Sequence, residues 1–316
     1  MSHSTHSPNR RDLLRGLVTA GAAAAVSSQT SLSAEAEEDK VANKGRIQQS
    51  IAFWCFNSAG EKWSIEKTCQ VAKKLGCASV ELVAPEHWKV LKKHGLVCAM
   101  APNGMPAPPF MKGFNNPAYH DQLIASTKKM IDAAAEAQFP NVIAFTGYKY
   151  VKAEDPKSGV IAHDDAIKNC VKGLKQVIGY AEKKKVTICM EHLNTRDDTH
   201  PMKGHPGYWG DNLDDVATII KQVGSERMKL LFDVYHVQIM HGDVMRRLEE
   251  NKEILGHIHT AGNPGRAELD DKQEIQYAPI MRKLVELKYK GYVGQEFIPT
   301  RDPMKGLTEA VALCDV

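Results

Sequence analysis

Short apolar runs rich in β-branched residues recur eight times along this chain, with longer helical patterns lying between them. The runs cover residues 48–56, 78–83, 97–103, 141–147, 186–194, 228–236, 255–262 and 291–299. Helical patterns cover 64–75, 118–137, 164–185, 213–223, 244–251 and 278–289. Alternation of this kind calls for a parallel sheet with crossover helices. Eight units in about 250 residues suit a closed (β/α)8 TIM barrel, one α/β domain. An open doubly wound sheet is the competing arrangement. It is weakened because no GxGxxG turn follows the first run and no phosphate-loop pattern occurs anywhere. Ser64 and Asn212 stand where helix caps are expected, each ahead of an acidic first turn, and Gly76 and Gly291 stand where helices should end.

The N-terminus reads as an address rather than as fold. Asn9-Arg10-Arg11-Asp12-Leu13-Leu14-Arg15 precedes a small apolar stretch, and small residues offer cleavage after Ala34 or Ala36. This order matches a twin-arginine signal over residues 1–36, followed by a short linker, 37–46, and the barrel domain, 47–316. The expectation is an exported, periplasmic protein with no membrane association once the signal is gone. The apolar stretch is too short and too weakly apolar for a stable spanning helix.

Chemistry in such a barrel gathers where the strands end. Four ends carry Glu191, Asp233, His259 and Glu296, separated by 42, 26 and 37 residues, about one βα unit each. Consecutive strands would aim these groups at one point. Three carboxylates that close cannot all ionise in a dry cavity without a cation. An oxygen-rich set with one imidazole suits one divalent metal ion, Mn2+, Mg2+ or Co2+ ahead of Zn2+. His257 shares a strand face with His259 but lies a layer deeper, as a structural histidine would, and His192 points outward. His236 either hydrogen-bonds substrate or packs. Glu81 is either a pocket residue or the orienter of a neighbour.

Composition narrows the partners. With 41 Lys+Arg against 38 Asp+Glu the net charge is +3, without the basic excess that nucleic-acid binding leaves. The seven cysteines form no zinc-binding spacing and several sit inside strand-like runs, so they read mostly as buried thiols.

The motifs at these strand ends carry a resemblance. Glu191-His192-Leu193-Asn194-Thr195-Arg196, Phe232-Asp233-Val234-Tyr235-His236-Val237-Gln238, His257-Ile258-His259-Thr260-Ala261-Gly262-Asn263-Pro264-Gly265-Arg266 and Gly294-Gln295-Glu296-Phe297 resemble the hydroxypyruvate isomerase-like family of the xylose-isomerase-like barrel superfamily. The resemblance spans nearly all of residues 47–316. It implies a metal held by Glu191, Asp233, His259 and Glu296, with Glu191 and Glu296 also transferring protons. From the residue types, Arg266 is expected to hold a carboxylate or terminal hydroxyl of a small sugar or keto-acid substrate and His236 to bond an oxygen near the reacting carbon, with Asn194 and Glu81 as further substrate-binding candidates. Trp54, Phe56, Trp209 and Phe297 either wall the pocket or simply pack in the core, and the proline-rich run 105–110 is expected near the barrel mouth. Hydroxypyruvate isomerases often present Gln where this chain has His259, whereas related ketose 3-epimerases present His. The expected activity is therefore aldose–ketose isomerisation of a hydroxy-keto acid or sugar through a metal-stabilised enediolate, with 3-epimerisation as the alternative. A non-catalytic exported sugar-binding barrel and an abasic-site endonuclease are further alternatives. A homo-oligomer is compatible with each of these.

Overall fold

The structure, a computed structural model, describes Met1 and residues 40–316. Arg10, Arg11 and both expected cleavage points lie outside the described residues.

The elements run β1 (Gln48–Ala52), α1 (Phe53–Ser58), α2 (Ile65–Leu75), β2 (Ser79–Glu81), α3 (Trp88–Lys93), α4 (His120–Ala137), β3 (Asn141–Ala144), β4 (Tyr150–Lys152), β5 (Asp155–Val160) and α5 (His163–Lys184). They continue as β6 (Thr187–Glu191), α6 (Leu213–Val223), β7 (Met228–Asp233), α7 (Val234–Met240), α8 (Val244–Glu250), β8 (Leu255–Thr260), α9 (Tyr277–Glu286), β9 (Tyr292–Gln295) and α10 (Pro303–Cys314). Seven strands form one parallel sheet in the order β2-β1-β9-β8-β7-β6-β3. Its two edges are joined by the expected third strand, which survives only as isolated parallel bridges, Ser79 to Val97 and Ala101 to Val142. Between those bridges, side chains replace ladder bonds. Ser79 Oγ accepts from the Ala99 N–H, and Asn141 Nδ2 donates to the Ala99 carbonyl. The chain is a single (β/α)8 barrel with one irregular stave.

The strands are shorter than the apolar runs that hold them, and in two of the runs a helix begins before the run ends. The apolar run 228–236 is strand only to Asp233, because Asp233 Oδ1 accepts from the Tyr235 N–H and caps α7 there. The first run likewise yields to α1 after Ala52. Period-2 and period-3.6 patterns cannot be separated when a short buried helix follows a strand without a turn residue. The hairpin β4–β5 and helices α1, α3, α7 and α10 add to the expected elements.

Capping follows the sequence closely. Ser64 Oγ accepts from Lys67 N–H, Asn212 Oδ1 from Asp214 N–H, and Gly76 ends α2 in the left-handed conformation at φ 81°. Gly291 has a different task. Helix α9 ends at Glu286 and Lys288 takes the left-handed turn, at φ 59°. A side chain at position 291 would run into the Tyr289 hydroxyl, so glycine is required there by close packing. The described part of the expected linker is not loose. The Asn43 and Lys44 N–H groups donate to Asp315 Oδ2, and Ala42 N–H donates to the Leu75 carbonyl.

All seven cysteines are buried free thiols. Phe56 and Phe297 are core residues rather than pocket walls, meeting edge to face at 5.3 Å while Phe56 stacks on Trp63 at 5.1 Å. Phe297 is fully buried directly after Glu296, so its truncation leaves a cavity beneath the site. Phe297→Ala is expected to cost about 3–5 kcal/mol of stability, read as a lowered denaturation midpoint. A loss below about 1 kcal/mol would contradict this packing role.

Candidate active site

The parallel strands bring Glu81 (end of β2), Glu191 (end of β6), Asp233 (end of β7), His259 (in β8) and Glu296 (just past β9) to one end of the barrel. Ligand atoms of Glu191, Asp233, His259 and Glu296 all lie within 4.8 Å of one another, and all four residues are buried. The expected quartet is therefore assembled.

Second partners fix each group's orientation. Asp233 uses Oδ1 to cap α7, leaving Oδ2 turned inward. Glu296 Oε1 accepts from Trp54 Nε1 at 2.7 Å, leaving Oε2 inward. His259 Nε2 lies 2.7 Å from Glu81 Oε1, and His257 Nε2 reaches the same oxygen at 2.9 Å. A carboxylate behind a histidine sets its tautomer and raises its basicity as a ligand. With Nε2–H donating to Glu81, Nδ1 is the nitrogen that faces the quartet, and it offers a lone pair there once it gives up its proton. That nitrogen makes no hydrogen bond, although Glu296 Oε2 is 2.6 Å away and Glu191 Oε1 3.6 Å away. A buried nitrogen facing carboxylate oxygens off the hydrogen-bond direction fits a shared cation.

The electrostatics express the same crowding. Burial, and then the neighbouring Glu296 and Asp233, push the Glu191 carboxyl up to about 7 against the pull of His259. Asp233 is also raised, by burial above all, against the pull of Arg266. Burial acts the same way on Glu296, yet His259 and Arg266 together outweigh it and hold this carboxyl down to about 2. Burial disfavours charge on His259 too, but Glu296, Glu191 and Glu81 outweigh it and raise its imidazole well above the usual range.

A cavity of about 200 Å3 opens above the quartet, with Glu191, Glu296, His236 and Arg266 among its lining and walls that include Trp54, Met105, Phe110, Phe145 and Met202. Met105 and Phe110 come from the proline-rich run, which lies at the mouth as the sequence suggests. Among the aromatic residues expected as walls, Trp54 lines the cavity. Trp209 is buried beside His163 instead, with ring centroids 5.6 Å apart.

The remaining expected site residues separate into two groups. His236 and Arg266 line the cavity, and they touch each other, Nε2 to Nη1, at 2.9 Å. Arg266 is only 2% exposed and its Nη2 donates to Asp233 Oδ2 at 3.0 Å and Glu296 Oε2 at 2.6 Å. Glu81 and Asn194 do not line the cavity, in contrast to the expected substrate contacts. Glu81 stands behind His259. Asn194 Oδ1 accepts from the Arg196 and Asp197 N–H groups, and its Nδ2 lies 2.7 Å from His236 Nδ1, so it shapes the loop after β6. His192 bonds the Asp211 carbonyl, away from the cavity. Sequence reading missed His205, a buried cavity residue packed 4.3 Å from Phe110 and pushed down to about 4 by burial. It stands in an irregular loop, where no periodicity marks which way a side chain faces.

Comparison with known proteins bears on the family and the fold. A 122-residue stretch is 38% identical to 2-oxo-tetronate isomerase of Cupriavidus necator, covering 39% of this chain and 44% of that protein. A 137-residue stretch is 26% identical to hydroxypyruvate isomerase of Escherichia coli, covering 43% and 50%. The chain thus spans about half the length of the curated relatives it matches. Among solved structures, an AP endonuclease family 2 protein of Brucella melitensis superposes with a TM-score of 0.68 at 20% identity, over 83% of this chain and 97% of that one. The 3-keto-D-glucoside 4-epimerase of E. coli superposes with a TM-score of 0.65 at 18% identity, over 85% and 98%. Those two likenesses establish fold alone. The family described as xylose isomerase-like TIM barrel matches residues 69–314, most of the chain, and the chain belongs to it.

Proposed function

We propose that this protein is a divalent-metal-dependent isomerase of a small hydroxy-keto acid or sugar. The observation that carries the reading is the buried quartet Glu191, Asp233, His259 and Glu296, with the unbonded His259 Nδ1 turned into it at the edge of a cavity. The partial matches to 2-oxo-tetronate isomerase and hydroxypyruvate isomerase support the same class of substrate.

Glu191, Asp233, His259 and Glu296 would hold the metal, which the oxygen-rich set suits as Mn2+, Mg2+ or Co2+. When bound, such a cation supplies Lewis-acid stabilisation of the enediolate charge that develops as a carbon-bound proton leaves. The chain's own residues do the proton work. Glu191 and Glu296 have environments that push their carboxyls in opposite directions, the pattern of an acid–base pair. One takes the proton from carbon and the other returns one. Return to the adjacent carbon gives isomerisation; return to the other face of the same carbon gives epimerisation. The second outcome keeps 3-epimerisation as the alternative, in keeping with the His at position 259. Trp54 holds Glu296 in place through its indole N–H, and the apolar walls limit water at the reacting carbon.

Glu81 positions His259 without touching the cavity. Glu81→Gln is expected to weaken metal affinity by about 10–100-fold while leaving the fold intact, measured by calorimetric titration. Unchanged affinity would contradict the positioning role.

Near-balanced charge argues against a nucleic-acid substrate. The Arg10-Arg11 pair supports export by the twin-arginine route into the periplasm. Replacing both with lysine should leave the full-length protein in the cytoplasm; periplasmic accumulation at the wild-type level would overturn that route. The reading as a whole is tested by incubating the protein with short hydroxy-keto acids and ketoses in deuterated solvent. Exchange of a carbon-bound proton, followed by NMR, reports the enolising step that isomerisation and epimerisation share.

A further inference from the structure

Two inward-facing carboxylate oxygens of the quartet already have a cation. Arg266 Nη2 lies 3.0 Å from Asp233 Oδ2 and 2.6 Å from Glu296 Oε2. The outward oxygens of the same two carboxylates are committed elsewhere, Asp233 Oδ1 to the α7 cap and Glu296 Oε1 to Trp54. A divalent ion therefore has to take the two oxygens that the guanidinium holds. Two cations on one pair of buried oxygens repel strongly, because a low-dielectric site screens little.

The guanidinium also has reason and room to leave. Its Nε is a buried donor without a hydrogen-bond partner, so the present pose leaves one polar group unsatisfied. The backbone of Arg266 is anchored independently of the side chain, in the left-handed region at φ 53° with its carbonyl accepting from Ile298 N–H. The side chain lines the cavity and lies against the Tyr235 ring, 5.1 Å from the centroid, and the Trp54 ring, 5.9 Å away, surfaces along which a planar cation can slide.

We propose that Arg266 is a built-in counter-cation of the quartet. It neutralises Asp233 and Glu296 while no metal is bound, competes with the metal for them, and is released toward the cavity when the metal takes its place. Metal loading and the freeing of Arg266 for an anionic or oxygen-rich substrate group are then one event. The inference rests on the metal reading given above, and its test separates the two.

The test uses the full chain, stripped with chelator and dialysed, and Mn2+ alone as the titrant. Arg266→Gln is expected to bind Mn2+ at least about tenfold more tightly than wild type, since the competing charge is gone. The metal-free variant should also melt below metal-free wild type, with the gap narrowing once Mn2+ is added. Equal or weaker Mn2+ binding by the variant would overturn the competition while leaving the metal reading standing. Absence of binding of Mn2+, Mg2+ and Co2+ to wild type would overturn both. A second measurement needs no substitution. With arginine labelled with nitrogen-15, the Arg266 side-chain resonances of wild type should shift on addition of Mg2+. Resonances that stay fixed while Mg2+ binds would reject the displacement.

Discussion

Replacing Glu296 by glutamine is expected to lower turnover by about a thousandfold or more, the range spanned by loss of a positioned proton-transfer group with its charge. The geometry explains why the amide is a poor substitute. Glu296 Oε1 accepts from Trp54 while Oε2 accepts from Arg266 and faces His259 Nδ1. Either orientation of an amide turns its NH2 toward one of those donors. In the proposed mechanism the substitution removes a proton carrier and a metal ligand, and it leaves Arg266 with Asp233 as its remaining carboxylate partner. Circular dichroism should still report a folded barrel, because Glu296 lies beyond the last residue of β9 and its side-chain contact with helix α1 is the one Trp54 hydrogen bond. Retention of more than about a tenth of wild-type turnover would reject the proton-transfer role.

The second large effect is expected from chelation. Stripped protein should lose proton exchange to background, and Mn2+, Mg2+ or Co2+ should restore it. Stability should follow. A ligand present at a hundred times its dissociation constant adds about 2.7 kcal/mol, which for a chain of this size raises the melting temperature by several degrees. The burial and crowding of Glu191, Asp233 and Glu296 set this direction, since added positive charge offsets both the burial and the neighbouring charges that raise Glu191 to about 7. Identical melting with chelator and with saturating metal would contradict it.

Much of this architecture is legible in the sequence because barrel topology converts spacing into geometry. Glu191, Asp233, His259 and Glu296 recur at intervals of one βα unit, and parallel strands allow little choice but to gather them. Capping was equally readable at Ser64 and Asn212, where the acceptor side chain and the acidic first turn are adjacent in the chain. What escaped depends on contacts between distant segments. The double hydrogen bond of His257 and His259 to one Glu81 oxygen joins residues 176 and 178 positions apart. Burial of Phe297 against Phe56 rather than at a pocket wall depends on α1 beginning at Phe53, which the apolar run conceals. Arg266 was legible as a polar group at the site, but its engagement with Asp233 and Glu296 rather than with open cavity was not. The backbone after Gly265 turns left-handed, and no pattern in the chain reports where a side chain lands after such a turn.

The central claim is that the quartet performs metal-dependent proton transfer at a carbon beside a carbonyl. The most direct measurement is NMR-detected exchange of the carbon-bound protons of hydroxypyruvate, 2-oxo-tetronate and simple ketoses with deuterated solvent, run on metal-loaded and on chelated wild-type protein. Enzyme-dependent deuterium incorporation is expected with at least one of these compounds, lost on chelation and restored by Mn2+, Mg2+ or Co2+. Exchange at an undiminished rate in the chelated protein, or no exchange with any of them in the metal-loaded protein, would contradict it.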